Sequence, residues 1–473
     1  MGDALKPDIC VIGAGSGGLS VAAAAAAFGV PAVLVEKHRM GGDCLNAGCI
    51  PSKALIAAAR RAHLARTGGA FGVEAPVTVD FAKVHAHVHG VIAAIAPNDS
   101  VERFTGLGVR VIKGEARFRD RETVVVGDAT IRARRFVIAT GSKPAVPPIP
   151  GLDRLPYLTN ETVFDLTECP RHLLVIGAGP IGLELAQAFR RLGAQVTVLE
   201  AAVPLAKDDP ECTAVVLNRL ACEQVDIRAG VTVARMDTAR AGIRAVLKTA
   251  AGEEAIDASH VLVAAGRRPV VEDLGLEAAG IRLGRIGIVV DKGLRTTNRR
   301  VYAIGDVAGG PQFTHAANYH AGLVIRNALF RLPVSADDGL IPHVTFTDPE
   351  LAHAGLTEAQ ARARHGAVRV ARWPYRENDR AQAERETHGH IKVVMNARGR
   401  ILGATIVGAE AGELISTWAL AVARRMNIRA MTGVVVSYPT RAEIGKRAAI
   451  DLFARRLTSP LVRRIIGWLR RFG

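Results

Sequence analysis

Asp8-Ile-Cys-Val-Ile-Gly-Ala-Gly-Ser-Gly-Gly18 is echoed later in the chain by Leu173-Leu-Val-Ile-Gly-Ala-Gly-Pro-Ile-Gly182. Each copy reads as an apolar strand, a G-x-G-x-x-G turn, an Ala/Leu-rich helix and a second apolar strand, 32–35 or 196–199, followed by Glu. Gly13 to Glu36 and Gly177 to Glu200 are both 23 residues apart. The first glycine permits the tight turn, the second lets backbone approach a pyrophosphate, and the third packs helix on strand. Free N–H groups and the helix dipole then hold phosphates. Glu36 and Glu200 stand where a carboxylate takes ribose hydroxyls. One such motif is weak evidence of a nucleotide site; two complete units at identical spacing are strong.

The rest of the composition narrows the class. The chain has 473 residues, 49% hydrophobic and 22% charged, which allows two to four domains with ample core and excludes a disordered or collagen-like chain. Six cysteines (Cys10, Cys44, Cys49, Cys169, Cys212, Cys222) are too few for a disulfide-stapled scaffold and too scattered for a zinc ribbon, and no metal site is assigned. Residues 9–35 carry no charge, a length that could span a bilayer. Gly13, Gly15, Gly17, Gly18, Gly29 and Pro31 interrupt that stretch, so buried parallel strands around a glycine turn explain it better. The N-terminus lacks a basic region and cleavage site, and a cytoplasmic protein is expected. The net charge of +16 comes without basic blocks interleaved with aromatics, so no nucleic-acid partner is expected.

Both units close alike. Residues 109–137 and 227–263 read as short β-rich meanders running into Val137-Ile-Ala-Thr-Gly-Ser142 and Val261-Leu-Val-Ala-Ala-Gly266. Gly141 and Gly266 there allow backbone to approach a ligand. Val301-Tyr-Ala-Ile-Gly-Asp306 places an acid at the C-terminal edge of a parallel sheet, where it can bond a polyol or cap a helix.

Gly41-Gly-Asp-Cys-Leu-Asn-Ala-Gly-Cys-Ile-Pro-Ser-Lys53 follows the first unit directly. In an ideal helix Cys44 and Cys49 would have Cα atoms ~8–9 Å apart, from a rise of ~1.5 Å per residue. A disulfide needs less than about 7 Å. Bridging therefore requires an irregular first turn, which Gly48 and Pro51 permit. Left reduced at a helix N-terminus, the pair would be reactive. Two thiols beside a nucleotide site point to redox catalysis rather than structure.

With these residues together, the chain resembles the flavoprotein pyridine nucleotide-disulfide oxidoreductases, which include dihydrolipoamide dehydrogenase, glutathione reductase and mercuric reductase. The likeness runs from about residue 7 to 450 through the cysteine motif, both glycine motifs, A-T-G-S, Y-A-I-G-D and Tyr438-Pro-Thr-Arg-Ala-Glu443. It implies an α/β chain with two Rossmann-like domains and a C-terminal α+β dimerisation domain. The implied boundaries are 1–150 and 268–338 for FAD, 151–267 for NAD, and 339–473 for the interface. It implies FAD on Gly13, Gly15, Gly18, Glu36, Gly141 and Asp306, and NAD on Gly177, Gly179, Gly182, Glu200 and Gly266. Cys49 matches the flavin-proximal cysteine and Cys44 the one that attacks substrate, a disulfide or thiol-type compound. Lys53 and Glu184 match an ion pair near the reactive flavin nitrogen. With Ala201-Ala202 after Glu200 and no Arg to meet a 2′-phosphate, NADH is expected over NADPH.

The departures fall at the C-terminal end. Most disulfide-reducing members carry His-Pro-Thr-x-x-Glu reaching across a homodimer; here the first residue is Tyr438, with Glu443 kept. A phenol with pKa ~10 cannot serve as the neutral-pH base that imidazole can. Tyr438 and Gly309-Gly-Pro-Gln-Phe313 resemble mercuric reductase, but no cysteine follows Cys222. A lipoamide-type, soft-metal or quinone reductase activity stands as the alternative to an unidentified disulfide. Beyond Pro460, Leu461, Val462, Ile465, Ile466, Trp468, Leu469 and Phe472 fall within ~160° of a helical wheel, with Arg463, Arg464, Arg470 and Arg471 opposite. Such a helix could lie on an anionic membrane, or pack on the protein's own body or a partner chain.

Overall fold

The computed structural model describes residues 4–240, 242–249, 252–457 and 460–472. The N-terminal reading above rests partly on residues 1–3, which lie outside this range. Two compact units result: Met1–Pro204 with Gln224–Asp338, and Leu205–Glu223 with Gly339–Gly473.

The first unit holds both glycine repeats, each at the centre of a five-stranded parallel sheet. One sheet runs in the order Arg110–Lys113, Ala32–Glu36, Ile9–Ile12, Arg135–Ile138, Val301–Ala303. The other runs Asp226–Ala229, Gln195–Glu200, His172–Ile176, His260–Val263, Tyr157–Leu158. Their registers correspond: Ile9 stands opposite Ala32 and Arg135, and Leu173 opposite Val196 and His260. The fifth strand differs in origin, arriving from residue 301 in the first sheet and from residue 157 in the second. Strands covered on both faces must be apolar throughout. Ile9, Cys10 and Val11 are fully buried, as are Leu173, Leu174 and Val175, which accounts for the uncharged N-terminal stretch. Among the described residues no helix is long and apolar enough to cross a membrane. The two predicted meanders are three-stranded antiparallel sheets, 116–131 and 232–258.

The second unit is an antiparallel sheet in the order His343–Thr345, Glu350–Gly355, Ile401–Gly408, His390–Asn396, Val368–Pro374. Its core is built on Tyr375, Ile391, Ile406 and Trp418, with helices Ala411–Ala423 and Glu443–Leu457 supplying apolar cover. Helix Pro210–Cys222 belongs here, fastened by a lysine inside the sheet. Lys392, whose side chain is 5% exposed, places Nζ 2.8 Å from Asp209, 2.9 Å from Glu358 and 3.0 Å from Glu211. A buried ammonium is stable only when compensated in this way.

Candidate active site

The glycine turns are built as their sequence requires. Gly13 has φ +103° and Gly177 φ +110°, and a Cβ on either would stand 2.5 Å from a carbonyl oxygen, that of Ala139 or Ala264. Gly18 and Gly182 press against the carbonyl oxygens of Gly13 and Gly177, where a Cβ would come within 1.9 and 2.0 Å. Gly15 and Gly179 are the N-caps of helices Ser16–Ala27 and Pro180–Leu192, and no side chain caps either helix. Those first N–H groups are therefore available to an anion. At Gly179 no described residue other than its chain neighbours comes within 4 Å of where a Cβ would stand. Gly141 (φ +71°) and Gly266 (φ +115°) are equally open. These cradles fit a dinucleotide.

The two glutamates do something the sequence did not reveal. Glu36 accepts hydrogen bonds from Ala14 N (2.6 Å) and His38 N (2.7 Å), and Glu200 accepts them from Ala178 N (2.8 Å) and Ala202 N (2.9 Å). Each carboxylate thus ties the middle residue of its glycine turn to the end of its second strand. Lone pairs remain on both oxygens for ribose hydroxyls.

Asp306 follows Gly305 (φ +67°) at the sheet edge, and Ser142 Oγ donates to it at 2.5 Å. Burial pushes its carboxyl above the ordinary range, and the Ser142 bond opposes the rise. Arg267, next to Gly266, is an unforeseen organiser of this corner. Its guanidinium donates to Ser142 Oγ (2.7 Å) and Ser142 O (2.9 Å), and lies 3.2 Å from Asp43 and 3.9 Å from Asp306. Asn160 donates to Asp43 (3.0 Å) and to Ala47 O (3.1 Å), which pins the loop that carries the cysteines.

The required irregularity between the cysteines is present. Helix Gly42–Asn46 ends, Ala47 (φ −149°) and Gly48 (φ −126°, ψ −112°) break the backbone, and Cys49 starts helix Cys49–Thr67. A Cβ at Gly48 would meet Asp43 Oδ2 at 2.9 Å. Both cysteines are thiols here, Cys44 half-buried and Cys49 exposed. The two thiols act on each other electrostatically, and that separates their acidities. Cys49 is lowered from 9.0 to about 6, chiefly by the neighbouring Cys44 thiol, then by the Thr314 hydroxyl and the charge of Lys53, with partial desolvation opposing. Cys44 is raised, first by Cys49 beside it and then by desolvation. Thr314 Oγ1 lies 3.4 Å from Cys49 Sγ and opens helix Thr314–Ala328. Lys53 Nζ is 2.8 Å from Glu184 Oε2, so an ion pair joins the helix after the first repeat to the helix of the second.

Tyr438 and Glu443 belong to the second unit. Tyr438 is exposed, and its hydroxyl donates to Asp379 Oδ2 at 2.8 Å. That carboxylate raises the phenol above its ordinary range. Glu443 opens helix Glu443–Leu457, with Arg447 Nη2 at 3.9 Å. Among the described residues no group of three or more His, Cys, Asp or Glu could hold a metal ion.

Two dinucleotide cradles on parallel sheets, with a polarised dithiol on the segment after the first, define a nucleotide-dependent redox protein of the two-cradle α/β class. Residues 7–321 match the pyridine nucleotide-disulphide oxidoreductase family and residues 341–449 its dimerisation domain, and the chain belongs to that family. It is 36% identical over 447 residues to a mercuric reductase of Staphylococcus aureus, covering 94% of this chain and 82% of the relative. It is also 36% identical over 456 residues to a dihydrolipoyl dehydrogenase of Geobacillus stearothermophilus, covering 94% and 96%. The Cu(II) complex of the HOCl-induced flavoprotein disulfide reductase RclA from Escherichia coli is a structural relative, with TM-score 0.85 and 28% identity over 94% of this chain and 99% of that one. The family uses FAD and a pyridine nucleotide, and its dimerisation domain indicates a homodimer.

Proposed function

We propose that this chain is an NADH-dependent flavoprotein reductase that passes two electrons to the Cys44–Cys49 pair and on to a disulfide or thiol-type substrate. The observation that carries this reading is a pair of free thiols on a helix broken at Ala47-Gly48, directly after the first cradle, with the Thr314 hydroxyl 3.4 Å from Cys49 Sγ and Cys49 the more acidic of the two. In this reading FAD sits on Gly13, Gly15, Gly18, Glu36, Gly141 and Asp306. The nucleotide sits on Gly177, Gly179, Gly182, Glu200 and Gly266. The assigned domains are 1–150 with 268–338, 151–267, and 339–473. FAD, when bound, supplies the exchange of a nicotinamide hydride for an electron pair.

The cysteines carry the remaining steps. An electron pair and one proton convert their disulfide to a Cys49 thiolate and a Cys44 thiol. Cys44 releases its proton to solvent, attacks one substrate sulfur, forms a mixed disulfide and expels the other sulfur as a thiolate. Cys49 then attacks Cys44 Sγ, which restores the internal disulfide and expels the second thiolate. The Lys53 charge and the Thr314 hydroxyl stabilise the Cys49 anion throughout.

Tyr438 and Glu443, supplied by the partner chain of a homodimer, serve the substrate end. With its hydroxyl committed to Asp379 and its phenol raised, Tyr438 is a hydrogen-bond donor at neutral pH rather than a base. This supports substrates whose leaving thiolates need no protonation, such as disulfides of acidic aromatic thiols. It also supports a second reading, a soft-metal–thiolate substrate, which the mercuric reductase relatives favour. Lipoamide should be a slow substrate.

The test is steady-state NADH oxidation with an aromatic disulfide, lipoamide and a Hg(II)–thiol complex. Cys44→Ser and Cys49→Ser should each abolish turnover; retention in both overturns the relay. Tyr438→His should speed lipoamide reduction by about 10²-fold, more at pH 7 than at pH 9, because imidazole titrates near neutrality. Fast native lipoamide turnover that is unchanged in Tyr438→Phe would contradict the role given to the phenol.

A further inference from the structure

We propose that helix Pro460–Leu469 is an interfacial anchor that lays its apolar face into an anionic lipid surface. None of its residues is buried. Leu461 is 65% exposed, Ile465 48%, Trp468 55%, Leu469 54% and, just past the helix, Phe472 73%. Trp468 and Phe472 meet edge to face, with centroids 4.8 Å apart, which makes a continuous aromatic patch at one end of the stripe. Four large apolar side chains on one short helix, with Phe472 just beyond it, are too many to leave in water.

Charge selects that partner. Arg463, Arg464, Arg470 and Arg471 occupy the opposite side of the helix, and no acid follows Asp451. The four guanidiniums leave this segment strongly cationic, on a chain whose net charge is already +16, which favours an anionic partner surface. An anionic bilayer surface offers apolar depth for the stripe and negative headgroups for the flanking guanidiniums, the requirement of an in-plane amphipathic helix. The segment also lies beyond residues 341–449, the part matched by the family's dimerisation domain. At ten residues the helix is about 15 Å long, half of the ~30 Å hydrocarbon core, so it lies on a bilayer rather than crossing it.

Co-sedimentation of the full-length holoenzyme with phosphatidylcholine vesicles, with and without phosphatidylglycerol, tests this. Binding should be about tenfold or more stronger to the anionic vesicles and should fall at high salt. The 1–457 protein, the double variant Ile465→Asp/Trp468→Asp and the fourfold Arg→Glu variant at 463, 464, 470 and 471 should each lose binding while keeping NADH oxidation in solution. Equal pelleting of full-length and 1–457 protein overturns the proposal. Equal binding to neutral vesicles overturns the assignment to anionic lipid. A smaller oligomer on truncation, with no vesicle binding by the full chain, shows that the face covers a second copy instead and overturns it too.

Discussion

The two glycine cradles are nearly the same object in different surroundings. Their third glycines would clash with the same carbonyl at 1.9 and 2.0 Å, their first glycines with equivalent oxygens at 2.5 Å, and their glutamates grip equivalent amides. What differs is the cover. Over the first turn the cysteine loop folds back: Gly41 N donates to Ala14 O (3.0 Å), and Gly42 sits so close to Gly15 that a Cβ would come within 2.7 Å of its Cα. Over the second turn no described residue other than the chain neighbours of Gly179 comes within 4 Å of its Cβ position. Glu36 is buried, whereas Glu200 is partly exposed. A covered cradle suits a cofactor that stays, and an open one suits a nucleotide that enters and leaves each cycle. Sequence repetition therefore encodes the backbone, and the segment inserted after it assigns the use.

The largest expected effect tests the shared part. Gly18→Ala and Gly182→Ala each force a Cβ into backbone, where neither neighbour can give, and should destabilise the protein by about 3 kcal/mol. Urea unfolding measures this, and a loss below about 1 kcal/mol in either variant would show that the turn relaxes more than its geometry indicates. Next in size, Gly15→Val and Gly179→Val should both stay folded and separate the two uses. The first should be purified without flavin absorbance; the second should keep flavin and lose NADH binding by about tenfold or more, since a side chain there displaces the phosphate from the helix N-terminus. Flavin loss in Gly179→Val with retention in Gly15→Val would reverse the assignment of the two cradles.

The glutamates give a smaller, graded comparison. Glu36→Gln exchanges a charge-assisted clamp for one amide acceptor inside the protein and should cost about 2 kcal/mol; Glu200→Gln, partly solvated, should cost about 1 kcal/mol. Glu200→Gln should also lower the NADH/NADPH ratio of kcat/KM by about tenfold, since a carboxylate repels the 2′-phosphate. An unchanged ratio would place the selectivity elsewhere.

The doubly wound sheets, the broken helix between the cysteines and the amphipathic tail helix were legible in the sequence because each rests on local rules: glycine spacing, a glycine and a proline around Cys49, and helical periodicity; whether the tail is exposed was not. The network that tunes the site was not. Arg267 reaches Ser142 across 125 residues, and Tyr438 reaches Asp379 across 59, distances at which no periodic pattern connects partners. Thr314 carries no motif of its own, and only the fold brings its hydroxyl to Cys49. Spacing alone points the glutamates at ribose, and only the fold reveals their backbone clamp. Local chemistry names the reacting atoms and the neighbouring thiol splits their acidities, while long-range contacts such as Thr314 adjust them further.

The account stands most directly on the acidity of Cys49. In the reduced enzyme, its alkylation by iodoacetamide, followed by mass spectrometry of the labelled peptide, should rise with pH to half its maximum near pH 6, because the thiolate forms above its lowered pKa. Cys44 should be labelled more slowly, with a midpoint at higher pH, since its thiol is raised. Thr314→Val and Lys53→Met should each move the Cys49 midpoint upward, the first by more, following the order of their contributions. A Cys49 midpoint close to the ordinary 9.0, unmoved by either substitution, would contradict the relay at its origin.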